Sequence, residues 1–86
     1  MTVQEIKNRI DSISYFGNRY VKNSSLNICD AILKSQLYTK NQKNTVLNIK
    51  TTLEQTKDPW LWNDRPNYVG LIIIFDCLNQ LYRILD

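Results

Sequence analysis

The residue types that most often carry out chemistry are few in this chain, and their spacing does not suit them to it. There is no histidine among the 86 residues, so the commonest general base and the commonest metal ligand are both missing. Cys29 and Cys77 stand 48 positions apart, which is no zinc-ligand spacing. The only glycines, Gly17 and Gly70, cannot form a phosphate-cradling loop. No base accompanies a serine or cysteine in a nucleophile arrangement. Asp58 and Asp64 could pair as carboxylates, but Asp58 stands directly before Pro59 and Asp64 two residues before Pro66, and each reads better as a cap of a turn or helix. We therefore expect no catalytic residue, no metal and no cofactor. The chemistry left to the chain is recognition.

Three stretches have the residue types for recognition. The first is "DPWLWNDRP", residues 58–66, which holds both tryptophans and both prolines. Trp, Tyr and Arg are the usual anchors of binding hot spots, so Trp62, Asn63, Asp64, Arg65 and Tyr68 form the candidate partner-binding set. Alternate residues on one turn point apart, so the two tryptophans should divide the work. Trp60, beside Pro59 and the end of the preceding helix, is expected to pack, and Trp62 to face a partner. The second is a lysine face. Lys43, Lys50 and Lys57 recur every seven residues with Lys40 one turn away, a pattern that places them together on a helix and could grip phosphates. Glu54 lies four residues after Lys50 and would partly neutralise that face. The third is the apolar excess of the last helix, Ile72 in particular, which offers a homodimer face over residues 69–85.

Helices must position these groups. Thr2 followed by Glu5 is a capping box, and Val3, Ile6, Ile10 and Ile13 recur at spacings of three and four. Tyr15 and Phe16 widen that face. Gly17-Asn18 offers a stop, but Gly17 and Tyr20 keep the spacing, which favours a helix over 3–21, continuous or kinked. "KNSS" then reads as a break with Ser24 or Ser25 as the next cap, and Leu26, Cys29, Ile32, Leu33 and Leu37 mark a helix over 25–38. Thr39 and Gln42 repeat the capping-box spacing ahead of Val46, Leu47, Ile49 and Leu53, a helix over 41–56. The loop 57–66 follows. The last helix, 67–85, is apolar over much of its circumference (Leu71, Ile74, Phe75, Leu78, Leu81, Tyr82 and Leu85 on one face) and should be central. The expected fold is all-α: one domain, a small four-helix bundle or an orthogonal helical packing.

Charge and composition narrow the function. The net charge of +3 is uneven: residues 1–57 hold nine Lys/Arg against four Asp/Glu, and residues 58–86 two against four. That polarity permits an anionic partner without requiring one. "YVGLIIIF" is far short of the ~20 apolar residues of a membrane span. No secretory signal is evident, so a cytoplasmic protein with two reduced, buried thiols is expected. The Asn/Lys/Ile/Tyr-rich composition suggests an AT-rich coding genome of the kind phages and mobile elements carry. The leading expectation is a small non-catalytic interaction protein that binds and inhibits or regulates another macromolecule, most often a protein, in the manner of a phage inhibitor or an immunity protein. The alternative is a repressor-like or RNA-binding module that uses the basic first two-thirds of the chain.

Overall fold

In a computed structural model, which describes residues 2–61 and 65–85, the chain folds into four helices: α1 (Val3–Ile13), α2 (Val21–Lys34), α3 (Lys40–Gln55) and α4 (Tyr68–Ile84). No strand occurs among the described residues. The protein is a small all-α helical bundle. Helices α2 and α4 each touch all three of the others, whereas α1 and α3 flank them on separate sides without meeting. The expectation that the last helix is central therefore holds. Gly70, Leu71, Ile74, Cys77, Leu78 and Leu81 of α4 are all buried. They close on Ile6 and Ile10 from α1, Val21, Ile28, Cys29 and Ile32 from α2, and Val46, Ile49 and Leu53 from α3.

Local chemistry explains several helix ends. The capping box at Thr2 is present in full: Glu5 N–H donates to Thr2 Oγ1 and Thr2 N–H to Glu5 Oε1. Thr39 and Gln42 repeat it for α3. Gln42 does more, since its Nε2 donates to Ile84 O at 3.3 Å. One side chain thus serves the start of α3 and the end of α4, where carbonyls lack helical partners. Asn67 caps α4 by accepting from Gly70 N–H.

The α1–α2 junction differs from the sequence expectation. The first helix stops at Ile13 and does not run to residue 21. Ser14 takes over its last turn, with both its N–H and its Oγ donating to Ile10 O. Asn18, only 6% exposed, then ties the turn together: its Nδ2 donates to Ile13 O and its Oδ1 accepts from Tyr20 N–H. The second helix starts at Val21, four residues before the expected 25, and Ser24 and Ser25 lie inside it. Neither serine caps its start. Ser25 is fully buried and satisfies its hydroxyl on Val21 O at 2.6 Å, the back-bonding that lets serine sit mid-helix. The same helix ends at Lys34, short of 38. Leu37 is left exposed while Tyr38 turns into the core.

Candidate functional site

The segment after α3 is pinned over the first turn of α4. Asp58 Oδ1 accepts from Trp60 N–H at 2.9 Å, and Asp58 O accepts from Leu61 N–H. Pro59 O accepts from Asn67 N–H at 2.7 Å. Gly70 faces this segment. A Cβ there would lie 3.5 Å from Lys57 O and 3.6 Å from the Pro59 ring, in ordinary van der Waals contact with both. The result is a fixed seat for Trp60, which is half-buried and packed against the core.

Three side chains gather on that indole. Phe16 meets it edge-on, with centroids 6.5 Å apart and planes at 80°, a favoured aromatic geometry. The Arg19 guanidinium lies 5.1 Å from the ring centroid, within cation–π range. Tyr68 stacks on Phe16 at 5.6 Å and 27°. Phe16 remains 54% exposed and Tyr68 55%, and Tyr15 and Tyr20 beside them are also exposed. The α1–α2 turn, the Trp60 segment and the start of α4 thus build one aromatic surface with a cation on it. Arg19 makes no ion pair among the described residues. The Trp60 Nε1–H is buried there without an acceptor among the described residues.

Of the residues singled out from the sequence, Tyr68 belongs to this surface. Arg65 is exposed and lines a shallow groove with Lys57, Leu61 and Pro66. Trp62, Asn63 and Asp64 lie outside the described residues. The cluster instead takes in two residues that were not singled out as site residues, Phe16 and Arg19. Their signal in the sequence was the Gly17-Asn18 stop, which turns Phe16 from a helix-face residue into a loop residue.

Of the lysine face, Lys40, Lys43 and Lys50 all lie on α3. Lys50 Nζ lies 2.8 Å from Asp30 Oδ1 on α2, and the hydrogen bond and charge of Asp30 push the Lys50 pKa above its usual value. Lys57 lies beyond the end of α3 at Gln55, so the seven-residue recurrence breaks before it. Lys40 and Lys43 share the first turn of α3.

Cys29 and Cys77 are free and buried. Burial, with the neighbouring Cys77 thiol and Asp30 adding to it, pushes the Cys29 thiol up to about 12. Burial raises Cys77 as well. Burial thus favours the protonated form of both thiols at neutral pH. Among the described residues no group of three or more His, Cys, Asp or Glu could hold a metal ion, and no helix is long and apolar enough to cross a membrane. No family model matches the chain, and comparison with curated proteins and with solved structures finds no significant match in either.

Proposed function

We propose that this chain is a small, non-catalytic, cytoplasmic interaction protein that binds another protein through the Phe16–Arg19–Trp60–Tyr68 surface and thereby inhibits or regulates it. The observation that carries this reading is the exposure of two stacked rings, Phe16 and Tyr68, next to a Trp60 ring that carries Arg19, an arginine without a carboxylate partner among the described residues. Aromatic and Arg side chains fixed in advance are the groups that dominate protein–protein binding energy. Trp60 supports the site from beneath, packed against the core. Inhibitors from phages and immunity proteins have this economy of size and lack of catalytic groups; that comparison is analogy at the level of fold and composition. The nucleic-acid alternative has less support, because Lys50 at the centre of the lysine face is committed to Asp30.

The test is quantitative capture from nuclease-treated lysate of the source cells, with the wild type and the Phe16→Ala/Tyr68→Ala variant as baits, both shown folded by circular dichroism. A protein held by the wild type and lost by the variant, with only a shallow salt dependence, supports the reading. If the variant retains every wild-type partner, the reading is wrong. If binding instead falls when Lys40, Lys43 and Lys57 become Gln, and falls steeply with salt, the chain is a nucleic-acid binder.

A further inference from the structure

The surface that begins at Arg19 does not end at Tyr68. Tyr68 opens α4, and Val69 and Ile72 follow it outward at 67% and 66% exposure. Asp76 comes one turn after Ile72 on the same face and is exposed, because residues four apart stack along a helix. Read from one end to the other, the order is a cation, aromatic rings, aliphatic side chains and a carboxylate. Both end charges lack an internal ion pair among the described residues. Arg19 rests on the Trp60 ring, and Asp76 accepts from Gln80 Nε2 at 3.0 Å.

We propose that two copies of this chain associate through this surface about a two-fold axis. Phe16 and Tyr68 of each copy then cover Val69 and Ile72 of the other, and Arg19 of each lies opposite Asp76 of the other. A two-fold interface requires that if one residue meets a second, the second meets the first. A face with opposite charges at its two ends and apolar groups between them meets that requirement when turned end for end. The size also suits a pair. The exposed parts of these rings and aliphatic side chains offer roughly 500 Å² of apolar surface, and the charged ends bring one face towards the ~800 Å² that each partner of a standard interface contributes. A contiguous apolar patch of this size is about the largest that a monomer carries, and such patches are often functional. A second copy and a different protein would compete for Phe16, Arg19 and Tyr68, and the two readings are told apart by Ile72 and Asp76, which only self-association needs.

The experiment is sedimentation equilibrium of the purified full-length chain from about 1 μM to about 1 mM, the range in which a modest interface is half-formed. A reversible monomer–dimer equilibrium is expected. Ile72→Lys, at an exposed helical position, should keep its circular dichroism and weaken the dimer at least about tenfold. Arg19→Asp and Asp76→Arg should each weaken it similarly. The double exchange Arg19→Asp/Asp76→Arg should bring association back to within about threefold of wild type, because it restores both cross-dimer pairs with the signs reversed. A wild type that stays monomeric throughout overturns the inference, even if it still captures a partner through Phe16 and Tyr68. So does a dimer indifferent to Ile72→Lys, and so does a folded double exchange that stays as weak as Asp76→Arg alone, because each places the contact on another face.

Discussion

Two side chains at the aromatic surface do opposite work, and substitution should separate them. Trp60 packs against the core and carries Arg19 and Phe16. We predict that Trp60→Ala costs about 3 kcal/mol of folding stability, in the range of large-to-small core changes. Tyr68→Ala at a half-exposed ring should stay within about 0.5 kcal/mol of wild type. Urea denaturation of the two variants checks this, and equal losses would show that Tyr68 is as structural as Trp60. Asn18 is a third kind of residue. It is polar, buried and bonded to both sides of the α1–α2 turn through Ile13 O and Tyr20 N–H. Removing its amide takes a partner from a partly buried carbonyl and a partly buried N–H, so Asn18→Ala should cost about 1 kcal/mol. It should also loosen Phe16 and Arg19, which that turn positions. Hydrogen exchange at Tyr20 and Val21 would report it, and unchanged protection there would mean that the turn is held by other contacts.

At the scale of the helix, Gln42 joins α3 to α4 through its capping role and its bond to Ile84 O. We predict that Gln42→Ala costs about 1 kcal/mol and raises hydrogen exchange at the end of α4 as well as at the start of α3. Exchange confined to α3 would show that the Ile84 bond contributes nothing. Capping of this kind was legible in the sequence because it is local: Thr2 with Glu5 and Thr39 with Gln42 announce themselves by spacing alone. The apolar girth of α4 was legible for a similar reason. The α1–α2 junction was not, because Tyr15, Phe16 and Tyr20 continue the periodicity of α1 while standing in a turn, and hydrophobic spacing cannot tell an exposed ring from a buried one. The two serines misled in the same way: residues that suit a cap can equally bond back to the helix they sit in, and Ser25 does. Half of the candidate site was hidden by distance along the chain. Tyr68 lies beside the tryptophan segment, whereas Phe16 and Arg19 reach it from some 40 residues away, across a contact that only the packed bundle creates.

For the molecule as a whole, the place most sensitive to solution conditions is its centre, where α2 and α4 set Cys29 and Cys77 into the core. Both thiols are buried as neutral groups, and that gives the stability of the bundle a definite dependence on pH. Below about pH 9 the thiols are protonated whether the chain is folded or not, so the full stability is present. Above it, the unfolded chain releases those protons while the folded chain holds them, with Cys29 pushed up to about 12 and Cys77 also raised. The unfolded state then binds fewer protons than the native one, so stability falls as pH rises, by at most about 1.4 kcal/mol per pH unit for each thiol. A domain of this size, with about 5 kcal/mol in hand, should approach unfolding as the pH nears that of the buried thiol. We predict that the urea midpoint drops more steeply between about pH 8 and about pH 10.5 for the wild type than for Cys29→Ala. That variant should start less stable because of the cavity it leaves. Parallel slopes for the two proteins would assign the alkaline loss to other groups, the buried Tyr38 hydroxyl among them, whose pKa burial also raises. A shallower slope for Cys29→Ala would show that desolvation of a thiol between the two central helices sets the upper pH limit of the fold.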